Sequence, residues 1–252
     1  MQNFLSDLLK QAGSLALEYF RKGVSYATKS NPGDLVSEGD RAISDFLIKR
    51  LNTEFPDYGI QSEEEKEVIN PNSTRRWVID PIDGTRNFAM GVPFWCVMAA
   101  LVEGAEPLLS GVYAPISGDL FIAELGKGAF RNGIQVTANT NTTLEHSFGV
   151  LICDHFGVER ALFKKAIDNF DRFSGWRMNY GTMLASLYVA SGGVDLFVNN
   201  CGYDHDYLAP ALICSEAGAV VSTYTGKPWT KGRRDIVISA PGLHQHVIAL
   251  FG

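Results

Sequence analysis

The chain is short of the features that would place it in several large functional classes. It has four cysteines in 252 residues, at positions 96, 153, 201 and 214. None forms a C-x-x-C pair, so neither a disulfide framework nor a zinc knuckle is indicated. Three lie in apolar runs and read as buried reduced thiols. No stretch approaches the roughly 18 consecutive apolar residues of a membrane span. The N-terminus carries no secretory pattern, because Asp7 and Lys10 interrupt its apolar residues. A cytoplasmic protein without a membrane partner is expected. Positive charge is in deficit: 22 Lys and Arg against 28 Asp and Glu give a net charge of −6. A nucleic-acid partner is therefore not expected. Internal repeats and low-complexity segments are absent.

What remains is an ordinary globular composition, 46% hydrophobic and 20% charged, enough for a sizeable core. Leu5, Leu8, Leu9, Ala12, Leu15, Ala16 and Tyr19 recur at helical spacing and predict a first helix. A polar stretch from Lys29 to Asp34 follows. A second helix is predicted from near Ser37, with Ala42, Ile43, Phe46, Leu47 and Leu51 as its stripe, closed by Pro56 and Asp57. Strands are expected over Arg76–Asp80, Phe94–Val102, Leu108–Ala114 and Leu120–Glu124.

The Asn/Thr-rich stretch Thr137–Glu145 suggests a boundary, giving an α+β half over 1–140 and an α/β half over 141–252. In the second half, strands at Ser147–Cys153, Val194–Val198, Val220–Thr223 and Asp235–Ser239 alternate with helices. The helices are expected at Glu159–Phe170, Gly181–Ser191, Tyr207–Ala217 and Leu243–Leu250. Such alternation favours α/β layering.

The chemically informative segment is WVIDPIDGTRNF, Trp77 to Phe88. A buried strand delivers Asp80, Pro81 favours a turn, and Asp83-Gly84-Thr85 follows. Two carboxylates leaving one strand end can converge, and Gly-Thr amides opening a helical turn suit a phosphate. Ser62-Glu63-Glu64-Glu65 is a second source of carboxylates, although taken alone the run Glu63–Glu67 reads as a solvated face rather than a ligand set. Two carboxylates ~4 Å apart repel by roughly 4 kcal/mol at an effective dielectric near 20. Gathering several requires cations, and oxygen-only ligands select hard ions such as Mg²⁺. Asp40, three residues after Ser37, fits a capping box at a helix start. His244 and His246 diverge by about 200° on a helix and cannot share an ion. They and His205 read as incidental.

DPIDGTRNF resembles the signature of the inositol monophosphatase-like superfamily, Mg²⁺-dependent and lithium-sensitive phosphatases. The likeness extends along nearly the whole chain. Lys29 with Asp34-Leu35-Val36-Ser37 and Asp40 is similar to the first family motif, and Ser62-Glu63-Glu64 to the second. Gly126-Lys127-Gly128-Ala129-Phe130 with Asn132-Gly133 resembles the family hairpin. Asp206 with Glu216-Ala217-Gly218 resembles the C-terminal motif.

The resemblance implies an α-β-α-β-α sandwich of the sugar-phosphatase type that assembles as a homodimer. It implies two or three Mg²⁺ ions and hydrolysis of a small phosphorylated metabolite by metal-activated water. Glu63, Asp80 and the Ile82 carbonyl would hold one ion; Asp80, Asp83 and Asp206 a second; Glu63 would help with a third. The Gly84 and Thr85 amides would take the phosphate, and Thr85, oriented by Asp40, would position the water. Gly181, Thr182, Asn199, Asp83 and Asp206 would line the substrate.

Asn199 stands where inositol phosphatases often have an acid, and His205 replaces a common Trp. The spacing from Gly181-Thr182 to Gly192-Gly193 is more like the histidinol-phosphate branch, which argues against inositol 1-phosphate as main substrate. Haloacid-dehalogenase phosphatases also use Asp-Gly-Thr, but their nucleophile position is here Pro81, which excludes that reading. A non-catalytic module binding a phosphometabolite is the alternative of another class, disfavoured by the complete carboxylate set.

Overall fold

The structure is a computed structural model that describes residues 1–23, 25–28, 35–152, 157–173 and 176–252. Lys29, Asp34 and Cys153 lie outside the described residues. Helix α1 (Gln2–Lys22) is followed by a hairpin of β1 (Tyr26–Thr28) and β2 (Leu35–Ser37), and then by α2 (Glu38–Glu54). The first large sheet comprises β3 (Gly59–Ser62), β4 (Arg75–Asp83), β5 (Cys96–Glu103), β6 (Glu106–Ala114), β7 (Asp119–Glu124), β8 (Ala129–Arg131) and β9 (Ile134–Val136). A short α3 (Thr85–Ala89) follows β4. The seven strands lie in sequence order. All neighbours are antiparallel except β3 and β4.

The second sheet contains β10 (Gly149–Ile152), β11 (Arg177–Met178), β12 (Leu196–Asn199), β13 (Val220–Ser222) and β14 (Ile236–Ser239), in the order β11-β10-β12-β14-β13. Helix α4 (Arg160–Phe173) precedes β11. A 3₁₀ turn (Met183–Ser186), α5 (Leu187–Ala190), α6 (Asp204–Glu216) and α7 (His244–Ala249) complete the chain.

Alternation along the strands builds the layers. On β5, Val97, Ala99 and Leu101 face α1 and α2, whereas Cys96, Met98, Ala100 and Val102 face the opposite way. On the second sheet, Phe197, Ile236 and Ile238 face inward, while Leu196, Val198 and Val237 pack with Phe163 and Phe170 of α4 and Val247 of α7. Successive side chains on a strand point to opposite faces, so each sheet can be covered twice. Between the sheets lie α5 and α6. The result is the expected α-β-α-β-α layering. No helix among the described residues is long and apolar enough to cross a membrane.

Two elements differ from expectation where it matters. Helix α6 starts at Asp204 rather than Tyr207. It is apolar on every side because both sheets cover it, which erases the stripe that marks a helix start. The predicted helix over 181–191 instead begins as a 3₁₀ turn at Met183, with Thr182 capping it through a bond from the Leu184 N–H.

Candidate active site

Strand β4 is buried from Trp77 to Asp83. In a regular strand, residues three apart point to opposite faces. Here the pairing of β4 with β5 shifts register between Asp80 and Asp83, at Pro81, which has no N–H for the ladder. The irregularity lets both side chains converge. Each of Asp80, Asp83 and Asp206 brings one carboxylate oxygen to a common point, with the three atoms within 4.8 Å of one another.

Burial and repulsion raise the proton affinity of all three. Asp80 is 1% exposed, and its Oδ1 has no hydrogen-bond partner. Burial first, then the charges of Glu63, Asp83 and Asp206, push its carboxyl well above the usual range. Asp83 is pushed up to about 7 by burial and by Asp206, against the opposing pull of bonds from Thr182, Cys96 and Leu184. Asp206 is raised by burial, with His205 opposing.

Four further residues complete the surroundings. The Glu63 N–H donates to the Ile79 carbonyl at 3.1 Å, extending the β3–β4 pairing by one residue. That places the Glu63 carboxyl within hydrogen-bonding reach of Asp80. Thr85 opens α3, and its hydroxyl donates to the Ile82 carbonyl at 3.0 Å and reaches Asp40 Oδ1 at 3.4 Å. Asp40 is fully buried, and its other oxygen accepts from the Ser37 N–H at 2.7 Å, completing a capping box on α2. The capping and site-facing readings of Asp40 therefore coexist. Gly84 adopts φ +90°, and a Cβ there would lie 3.1 Å from the Cβ of Thr182. Both the left-handed backbone and the close approach call for glycine.

Among the expected substrate-lining residues, Gly181 has φ +65° beside Asn87. Thr182 is 3% exposed, and its hydroxyl bonds to Asp83. Asn199 is 5% exposed; its carbonyl oxygen accepts from the Cys201 N–H and the Tyr207 hydroxyl, and its amide approaches the Met183 sulfur. The structure thus sets Thr182 and Asn199 inside the fold, bonded to protein. Asp204 accepts from the Gly232 N–H at 2.7 Å and is not part of the cluster. His205, read as incidental from the sequence, is not among the clustered ligand atoms; its Nε2 lies 3.4 Å from Asp206 Oδ2, and its ring stacks on Tyr203. Cys96, unassigned from sequence, lies opposite Asp83 in the sheet, with its thiol 3.4 Å from Asp83 Oδ2.

The donor set fits a hard divalent cation. It consists of carboxylate oxygens, one of them buried and without a partner, in a place where only positive charge relieves their repulsion.

Comparison with known proteins follows the same line. The sequence pattern described as the inositol monophosphatase family matches residues 1–252. A fructose-1,6-bisphosphatase/inositol-1-monophosphatase of Thermotoga maritima is 31% identical over 98% of this chain and 93% of its own length. A histidinol-phosphatase of Chlorobaculum parvum is 33% identical over 98% and 94%. The crystal structure of the extragenic suppressor protein suhB from Bartonella henselae superposes with a TM-score of 0.91 at 26% identity, covering 99% of this chain and 97% of that one.

Proposed function

Because this chain belongs to the inositol monophosphatase family and is a phosphoric monoester hydrolase, we propose that it hydrolyses small phosphate monoesters with Mg²⁺ held by Glu63, Asp80, Asp83, Asp206 and the Ile82 carbonyl. The observation that carries this reading is the convergence of the Asp80, Asp83 and Asp206 carboxylates, together with an Asp80 Oδ1 that has no hydrogen-bond partner. Bound there, divalent ions would supply Lewis-acid activation of water and charge neutralisation for phosphate.

The chain's own residues would do the rest. Thr85 is held by the Ile82 carbonyl and Asp40. Its hydroxyl can pass its proton toward Asp40 while accepting one from a water at the cluster, so the pair orients the attacking molecule. The Gly84 and Thr85 amides would hold phosphate oxygens at the start of α3. Asp80 and Asp83 are too deeply buried to remain charged side by side without cations, which makes the site acidic in composition yet suited to an anionic substrate. A homodimer also belongs to the proposal, resting on the family resemblance and measurable by sedimentation.

The two relatives act, by their names, on different esters, so a substrate panel is the informative test. Phosphate release would be measured from inositol 1-phosphate, histidinol phosphate, fructose 1,6-bisphosphate, 3′-phosphoadenosine 5′-phosphate and NADP. The expectation is release from at least one that requires Mg²⁺ and is inhibited by Li⁺. Binding without release across the panel would favour the non-catalytic reading instead.

A further inference from the structure

The metal reading leaves open what holds Asp83 in its working orientation. Its Oδ2 accepts from the Met183 N–H at 2.8 Å, the Leu184 N–H at 3.3 Å, the Cys96 thiol at 3.4 Å and the Thr182 hydroxyl. No hydrogen bond among the described residues reaches its Oδ1. The hydroxyl of Thr182 carries one proton. Its oxygen accepts from the Leu184 N–H at 3.1 Å, an N–H shared with Asp83 Oδ2, and its own proton is donated to Asp83. One residue therefore caps the 3₁₀ turn and turns the turn's amides onto the carboxylate.

The approach is built from both sides. The side-chain amide of Asn87 donates to the Phe94 carbonyl and to the Tyr180 carbonyl, each at 2.7 Å, tying the segment before Thr182 to the segment after α3. Gly84 leaves room for the Thr182 Cβ at 3.1 Å. Thr182 lies 99 residues from Asp83, on the connection between β11 and β12 rather than in the first sheet.

We propose that Thr182 is a positioning residue rather than a substrate-lining one: by fixing Asp83 through Oδ2, it presents Oδ1 to the divalent cation. This rests on the reading of Asp83 as a metal ligand. Partners of ligating carboxylates commonly change metal affinity by about 10–100-fold when removed, and Thr182 is expected to behave in that way.

The test is calorimetric titration of Mg²⁺ into substrate-free protein, with melting temperature in chelator recorded alongside. Thr182→Val, which keeps the shape and loses the hydroxyl, is expected to weaken Mg²⁺ binding by about 10–100-fold, whereas Thr182→Ser restores it. At saturating Mg²⁺ the KM for a phosphate ester should be nearly unchanged. If Thr182→Val failed to fold, Thr182→Ala would read the same loss. Wild-type Mg²⁺ affinity in Thr182→Val with a raised KM would overturn the proposal in favour of substrate lining. Equal losses in the Val and Ser variants would assign the effect to packing and overturn it as well. Wild-type protein that bound no Mg²⁺ would remove the metal reading and this inference together.

Discussion

Two pairs of aspartates reach the site by different routes. Asp80 and Asp83 leave strand β4, whereas Asp40 and Asp206 each occupy the third position of a helix. A helix start carries amides that no intrahelical carbonyl can use. Both helical aspartates exploit this by reaching back to the N–H of the residue before the helix: Asp40 to Ser37 at 2.7 Å and Asp206 to Tyr203 at 2.6 Å. A strand end has no such supply, since its N–H groups are committed to the ladder. Asp83 takes donors from residues a hundred positions away, and Asp80 leaves Oδ1 with none. Compensation of charge is thus local at the helices and remote or missing at the strand. The demand for a cation concentrates on the strand side.

The largest expected effect breaks the comparison at Asp83. In Asp83→Asn the amide oxygen can take the Oδ2 position and keep all its donors, while the NH₂ group replaces the oxygen facing the cluster. The fold should survive, and the metal-free protein should melt higher than wild type at pH 8, because a buried charge is gone. Turnover should fall by more than about a hundredfold, beyond the range of outer-shell changes. Near-normal turnover would mean that the strand side does not hold the metal.

A second effect is set by pH. Asp83 sits at about 7 in the fold against an ordinary 3.8, so between those values the folded protein holds a proton that the unfolded chain releases. Stability from that proton is complete below about 4 and is lost as pH rises through about 7. The metal-free protein should therefore melt progressively lower across that window. Mg²⁺ at a hundred times its Kd adds about 2.7 kcal/mol for one site, or about 5–10 °C at this chain length, and should flatten the decline. A melting temperature unaffected by Mg²⁺ at pH 8 would place the cation demand elsewhere.

Much of this was readable before any coordinates. The apolar runs of β5 and β12 predict strands, and D-P-I-D-G-T sets two carboxylates and a Gly-Thr turn in contiguous residues. The start of α6 was not readable, because a helix covered by two sheets has no polar face to end. Nor were the neighbours of Asp83. Cys96 lies opposite it only through the register shift at Pro81, and Thr182 only because the 3₁₀ turn begins two residues later than a helical pattern suggests. The contact of His205 with Asp206 was not readable either, since adjacency on a helix ordinarily separates side chains by about 100°. Here the Asp206 carboxylate folds back toward Tyr203, and that brings the imidazole within reach.

The smallest effect sharpens the comparison at the other helix start. Ser37→Ala removes the hydroxyl that bonds Asp40 Oδ2 at 2.5 Å and leaves the Ser37 N–H in place. Loss of a helix cap costs about 1 kcal/mol, so melting should fall by about 2–4 °C for a chain of this size. Asp40 would still be held by the N–H of residue 37 and would still face Thr85. Turnover should consequently drop less than in Asp40→Asn, which weakens the acceptor for the Thr85 proton itself. If the two variants lost the same stability and the same activity, Asp40 would be a cap and nothing more. If Asp40→Asn lost far more turnover for a similar change in melting, a helix start would be supplying both its own cap and the base behind Thr85.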